Sequence, residues 1–88
     1  MHKRFHSIFY GNVIGVKFRQ TIFEICSALK LKGFVQNAEN GVELIVEGEE
    51  KAINELIELL NERFEISNMD SSMEESKKEF KTFEIRND

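Results

Sequence analysis

Two glycines and an arginine near the start of the chain mark the stretch best suited to chemistry, Gly11 to Arg19, which reads GNVIGVKFR. An aromatic-rich, strand-like run precedes it, and a segment with helical periodicity follows. A strand that passes through glycines into a helix start collects free backbone N–H groups at the positive end of the helix dipole, and this arrangement binds anions. We therefore expect a phosphate-like ligand. The predicted phosphate-binding residues are Gly11, Asn12, Val13, Ile14, Gly15, Val16 and Arg19.

This stretch resembles the acylphosphatase signature, usually written G-x-V-Q-G-V-x-F-R. A second segment, residues 33–37 (GFVQN), resembles the G-W-V-x-N segment of that family, and the turn at Asn40-Gly41 resembles the hairpin after it. The match runs from about residue 5 to residue 48 and, more weakly, through residues 80–85. The resemblance implies two catalytic residues: Arg19, which would bind the phosphoryl group, and Asn37, which would orient the attacking water.

The implied reaction is hydrolysis of a small acyl phosphate to a carboxylate and inorganic phosphate. The resemblance implies no cofactor, and it makes inorganic phosphate or sulfate a competing anion. No Cys/His cluster has zinc spacing, so we expect no metal. Phosphoryl transfer spreads negative charge over the equatorial oxygens, and preorganised amides with a guanidinium are well matched to that charge. An arginine also offers a bidentate contact that a lysine cannot reproduce.

Several positions depart from the family pattern. Ile14 stands where glutamine is usual, Lys30 replaces the glycine of L-G-L, and Phe34 replaces tryptophan. Lys17 and Ala38 also differ, and Ile14 and Ala38 remove polar groups near the expected site. A second interpretation therefore stays open: a non-catalytic acylphosphatase-like module that binds carbamoyl phosphate or another anion, as in the N-terminal domain of hydrogenase-maturation carbamoyltransferases. Stabilisation by an anion without hydrolysis would favour it.

A third interpretation is an RNA-binding domain, because GFVQN superficially resembles an aromatic RNA-binding strand. The segment lacks the second aromatic residue of that motif. The formal net charge of −4 also opposes it, since nucleic-acid surfaces normally carry a basic face. We expect no nucleic-acid partner.

The elements that must position these residues follow from hydrophobic periodicity. Strands are predicted at residues 4–10, 33–37, 42–47, 65–73 and 80–86, and helices at residues 17–31 and 50–63. The first strand is expected to be central, with both faces largely covered. The order gives an α+β fold, a ferredoxin-like βαββαβ sandwich with an extra C-terminal strand and two helices on one face of an antiparallel sheet.

Size and composition set the remaining expectations. The 88 residues fit one acylphosphatase-like domain, residues 1–88, and a monomer. The lone Cys26 excludes an internal disulfide and favours a reducing compartment, so the cytoplasm is expected. No apolar run approaches a membrane span, and the start of the sequence lacks the features of a signal peptide. His2 and His6 have no partner at a suggestive spacing and receive no catalytic role.

Overall fold

Five strands form one sheet in the order β4-β1-β3-β2-β5. The structure is a computed structural model that describes residues 1–13 and 15–86, with Val16 described by its backbone only. The strands are β1 (His2–Gly11), β2 (Lys32–Ala38), β3 (Gly41–Glu49), β4 (Ile66–Glu75) and β5 (Phe83–Arg86). The β1–β3, β1–β4 and β2–β3 pairs are antiparallel, whereas β5 runs parallel to β2.

Two helices, α1 (Val16–Ala28) and α2 (Glu50–Arg63), pack on one face of this sheet. In α2 the buried residues Ile53, Leu56 and Leu60 recur at helical spacing, so one stripe faces the core. The predicted ferredoxin-like sandwich is confirmed, including its extra C-terminal strand. The most deeply buried side chains include Phe9, Phe18, Ile22, Leu44, Ile53, Leu56 and Leu60.

β1 is central, as expected, but the two faces of the strand differ in burial. Phe5, Ser7 and Phe9 are buried, while His6 and Tyr10 on the other face are half-exposed. The expectation that both faces are covered was wrong, because both helices lie on the same side of the sheet and leave the outer face largely open.

The first helix ends three residues earlier than its apolar periodicity predicted. Lys30 takes a left-handed φ of 60°, which stops the helix. The N–H of Leu31 then donates to the carbonyl of Cys26 at 2.9 Å, and the N–H of Lys30 donates to the carbonyl of Ser27 at 3.4 Å. This pair of bonds is a Schellman motif, with a lysine at the position that glycine usually takes.

The C-terminal third also differs from the predicted pattern, because a buried carboxylate organises it. Glu47 on β3 is only 5% exposed. Its carboxylate accepts the backbone N–H groups of Lys77 at 2.8 Å and Glu79 at 3.1 Å. It also accepts Nη1 of Arg4 at 3.2 Å. We call this arrangement the Glu47 clamp. It holds residues 76–80 against the outer sheet face, and β5 therefore begins at Phe83 rather than at residue 80.

Candidate active site

The loop after β1 and the residue Asn37 lie at the same end of the sheet. Asn37 on β2 is the register partner of Val42 on β3, and Val42 is the partner of Phe9 on β1. Directly opposite residues of a sheet share one face, and Phe9 and Val42 are fully buried beneath the helices. Asn37 therefore faces the helix layer, two residues from the point where β1 ends at Gly11.

Helix α1 starts at this same end, with its N-terminus open. Gly15 is the N-cap residue, and no side chain caps it among the residues that the structure describes. The amides of Gly15, Val16, Lys17 and Phe18 have no acceptor inside the helix, because a helix leaves its first N–H groups unpaired. The first turn also lacks an acidic residue. These amides and the positive end of the dipole of a 13-residue helix are thus available to an anion.

Aromatic packing fixes the start of α1. Phe18 lies edge-on to Phe9, with ring centroids 5.5 Å apart, and edge-on to Phe64 at 4.8 Å. Val13 in the preceding loop is only 1% exposed. The loop is therefore anchored in the core on both sides of the N-cap, which keeps the amides preorganised for a ligand.

Two of the predicted loop amides already have acceptors within the chain. The N–H of Asn12 donates to the carbonyl of Glu65 at 2.9 Å, and the N–H of Val13 donates to the carbonyl of Gly11 at 2.8 Å. Gly11 has a φ of 119°, and a Cβ there would lie 2.6 Å from the Glu65 carbonyl oxygen, so only glycine allows this close approach. The loop is shaped by this contact with the residue before β4. The open amides are those of the helix start.

Two predicted loop residues remain, Ile14 and Val16. Ile14 lies outside the described residues. Val16 is the first residue of α1, which places its backbone N–H in the open first turn.

Arg19 and Asn37 each bury a polar atom that has no partner among the described residues: Nε of Arg19 and Oδ1 of Asn37. Arg19 lies one turn into α1 and is only 8% exposed. Buried polar groups are nearly always hydrogen-bonded, and each exception calls for an explanation. One orphan is a donor on a cation and the other is a neutral acceptor. Together they fit an anion and a water molecule.

Other titratable groups lie on the opposite face of the sheet or are inert. His6 Nε2 lies 2.8 Å from the carboxylate of Glu43, which also accepts Nε2 of Gln36 at 2.8 Å, and this cluster sits on the outer sheet face. The pKa of Glu43 is lowered, because the hydrogen bonds from Gln36 and His6 outweigh the effect of desolvation. Burial raises the pKa of the Cys26 thiol to about 12, so it is not a nucleophile.

Residues 1–13 and 15–86 show neither a metal-ligand cluster nor a membrane-spanning helix. This part of the chain gathers no group of three or more His, Cys, Asp or Glu side chains that could hold a metal ion. Across the same residues, no helix is long and apolar enough to span a bilayer.

Phe34, the aromatic residue behind the RNA-binding interpretation, does not offer a free stacking surface. It is only 8% exposed. The guanidinium of Arg86 lies 3.8 Å from its ring centroid, and the ring of Phe80 packs edge-on at 5.9 Å. A base could not reach this ring without displacing both neighbours.

The main contact that sequence reasoning missed is the Glu65 carbonyl that holds the loop through the Asn12 amide. A backbone carbonyl carries no residue-type signal, so only the three-dimensional structure reveals it. The edge-on packing of Phe64 against Phe18 is a second contact that was not predicted.

The fold is an α+β sandwich with a helix N-terminus, a buried arginine and a buried amide oxygen at one end of the sheet. The chain belongs to the acylphosphatase family, whose sequence pattern matches residues 5–85.

Individual relatives agree with this assignment. An acylphosphatase from Caldanaerobacter subterraneus subsp. tengcongensis is 32% identical over 89 residues, which span 97% of this chain and 99% of that protein. The crystal structure of acylphosphatase from Bacillus subtilis has a TM-score of 0.87 at 26% identity, covering 96% of this chain and 98% of that one. Full-length HypF in a phosphate- and nucleotide-bound form has a TM-score of 0.88 at 33% identity, covering 100% of this chain but 12% of HypF.

Proposed function

We propose that this chain hydrolyses small acyl phosphates to a carboxylate and inorganic phosphate, with Arg19 and Asn37 as its catalytic residues. The observation that carries the proposal is the pair of orphaned buried atoms, Nε of Arg19 and Oδ1 of Asn37. They lie at the end of the molecule where α1 begins. The Arg19 donor suits the phosphoryl group, and the Asn37 acceptor suits the attacking water.

The phosphoryl group would be held by Arg19 and by the open amides of Gly15 and Val16. A guanidinium presents its N–H groups in a fixed fork that matches two phosphate oxygens. Arg19 is largely buried, so its interaction with an anion is screened less than at the surface. The amides and the helix dipole add stabilisation as charge spreads over the equatorial oxygens.

The attacking water would donate a hydrogen to Oδ1 of Asn37. An amide oxygen is a weak base, so this contact contributes orientation rather than proton removal. The carboxylate that leaves is itself a weak base, and its expulsion requires no strong general acid. The chemistry can therefore proceed by positioning and electrostatic stabilisation, which accounts for a site without a histidine or a nucleophilic thiol.

A binding-only role is the second candidate, and two observations favour it. All of this chain matches a segment that makes up 12% of HypF. Ala38, next to Asn37, supplies no polar group beside the proposed water. In this case the same residues would bind an anion such as carbamoyl phosphate without useful turnover.

Hydrolysis of benzoyl phosphate by the purified protein separates the two candidates. Turnover that inorganic phosphate and sulfate inhibit competitively would support the enzyme. No turnover, combined with a melting temperature raised by phosphate, would support the binding module. If phosphate neither inhibits turnover nor raises the melting temperature, the assignment of Arg19 and the helix start as an anion site is wrong. The monomeric state and the cytoplasmic location stay predictions.

A further inference from the structure

Two adjoining cavities open at the other end of the strands from Asn37. Their volumes are about 310 Å³ and about 420 Å³, and both are lined by His2, Lys30 and Lys32. Lys32 begins β2, five residues before Asn37, which places it about 17 Å away along an extended strand. This region is therefore separate from the proposed active site.

Lysine is the residue type that recurs most often in the lining of these cavities. Lys78 lines the first cavity and Lys81 the second, in addition to the two shared lysines. Within the described residues, none of these four lysines forms an ion pair, whereas Lys3 and Lys77 are paired with glutamates. A chain with a formal net charge of −4 thus concentrates half of its lysines, four of eight, in one concave region. We call this region the lysine cavity.

The one carboxylate in the lining does not neutralise these lysines. Glu47 lines the first cavity, but its oxygens accept Arg4 and the backbone N–H groups of Lys77 and Glu79. Its hydrogen bonds are therefore made with groups other than the four lysines. The electrostatic potential inside the lysine cavity should be positive, even though the whole chain is acidic.

Two of the four lysines occupy backbone conformations that favour glycine. Lys30 has a φ of 60° and Lys78 a φ of 53°. The only other described non-glycine residue with a positive φ is Asn40, and asparagine tolerates this region well. Left-handed lysines are unfavourable, and such conformations often mark ligand-binding positions. Lysine at both positions therefore points to a binding role for the two ammonium groups, which glycine could not supply.

We propose that the lysine cavity is a second binding site, for a small molecule that carries several phosphate groups. The cavity volumes lie in the range of small-ligand pockets, which is about 300–1,000 Å³. The four ammonium groups come from two segments: residues 30–32, which join α1 to β2, and residues 78–81. Separate point charges of this kind suit a ligand with several phosphates, because each ammonium can contact a different one. A single phosphate would leave most of them unused.

Calorimetric titration with inorganic tripolyphosphate tests this proposal. The titration uses an Arg19→Ala background, so that the proposed active site does not contribute. We expect one site that weakens as salt rises from 50 to 200 mM, because exposed charges are screened. The double variant Lys30→Gly/Lys32→Gln should bind at least about tenfold more weakly, since each charge-assisted contact contributes substantially. Lys30→Gly relieves an unfavourable φ, so loss of folding should not complicate the result.

Lys51→Gln on the exposed side of α2 is the matched control and should bind as the background protein does. Three results would overturn the proposal. One is binding that vanishes with Arg19→Ala in the otherwise wild-type protein. Another is equal weakening by the Lys51 control and the double variant. The third is binding of duplex DNA without binding of tripolyphosphate, which would point to a nucleic-acid surface instead.

Discussion

Replacing Glu47 with glutamine tests how far one buried carboxylate organises the C-terminal third. The carboxylate receives three donors: Arg4 Nη1 at 3.2 Å and the N–H groups of Lys77 at 2.8 Å and Glu79 at 3.1 Å. Glutamine keeps one carbonyl oxygen and removes the charge. Because one of the two oxygens becomes an NH₂ group, a hydrogen-bond donor of the glutamine would face a backbone N–H, which is also a donor.

The size of the effect follows from these contacts. A hydrogen bond to a charged group contributes about 1.5–3 kcal/mol. Oε2 accepts both Arg4 and Lys77, whereas Oε1 accepts Glu79. A glutamine with its oxygen in the Oε2 position therefore loses one bond and leaves the other two with an uncharged, weaker acceptor. Water can partly satisfy the freed donors, because the 76–80 segment lies at the surface. We therefore expect the free energy of unfolding to fall by about 2–4 kcal/mol at pH 7. A domain of this size has about 4–13 kcal/mol in total, so the variant should remain folded.

The effect should also depend on pH. Desolvation raises the pKa of Glu47, but the hydrogen bonds from the backbone and Arg4 outweigh it, so the folded-state pKa is lowered from the ordinary 4.5. A lowered pKa means that the stabilisation is present above the unfolded pKa and is lost as the pH falls through the folded one. The stability gap between wild type and the variant should therefore shrink as the pH falls below about 4.5.

Urea unfolding followed by far-UV circular dichroism is the appropriate assay, because the chain has no tryptophan and one tyrosine. The control is Glu75→Gln, which breaks the exposed Lys3–Glu75 pair of 2.8 Å and should leave stability unchanged. The reasoning about the Glu47 clamp would be refuted if both variants had the same stability. It would also be refuted if the gap for Glu47→Gln stayed constant from pH 7 to pH 3.

Three further predictions follow from individual backbone and side-chain environments. Lys30→Gly should raise the unfolding free energy by about 0.5–1 kcal/mol, because glycine suits the left-handed C′ position; a lower value in urea melts would contradict this. Gly33→Ala should cost more than about 3 kcal/mol, since its φ is 148° and a Cβ would overlap the carbonyl of Ile45; a wild-type melting temperature would refute the contact. Cys26 should react with a thiol reagent only as fast as the protein unfolds, because it is buried with a pKa raised to about 12; rapid labelling of the folded protein at pH 8 would show an open thiol.

Periodic apolar residues made much of the fold predictable. The second helix was predicted at residues 50–63 and is observed at Glu50–Arg63, because its buried stripe and the preceding strand end define it locally. The end of the first helix was not predictable in this way. Leu29 and Leu31 continue the apolar spacing, and nothing in a lysine at position 30 signals a left-handed turn. The path of residues 76–82 depends on a carboxylate about thirty positions earlier.

Part of the candidate site was likewise predictable from the sequence, and part was not. A glycine-rich turn before a helix predicts an anion site from physical principles, but the pairing of Arg19 with Asn37 rested on the family resemblance. The sequence could not show which loop amides are open, because a backbone carbonyl of Glu65 occupies the Asn12 amide. The lysine cavity brings residues 30–32 together with residues 78–81, which lie far away in the chain, so no local pattern revealed it.

Steady-state hydrolysis of benzoyl phosphate by Asn37→Ala and Arg19→Ala, beside the exposed controls Asn54→Ala and Arg63→Ala, tests the central claim most directly. We expect Asn37→Ala to lower kcat about 10²–10³-fold while the inhibition constant of inorganic phosphate stays unchanged, since Asn37 orients water and does not hold the anion. Its stability should not fall, because the lost carboxamide carries a buried oxygen that has no hydrogen-bond partner.

Arg19→Ala should lose about 10³-fold or more in kcat/KM and should also weaken phosphate inhibition. The controls should match wild type. An Asn37→Ala variant that keeps the wild-type kcat, or an Arg19→Ala variant that phosphate still inhibits normally, would contradict the account.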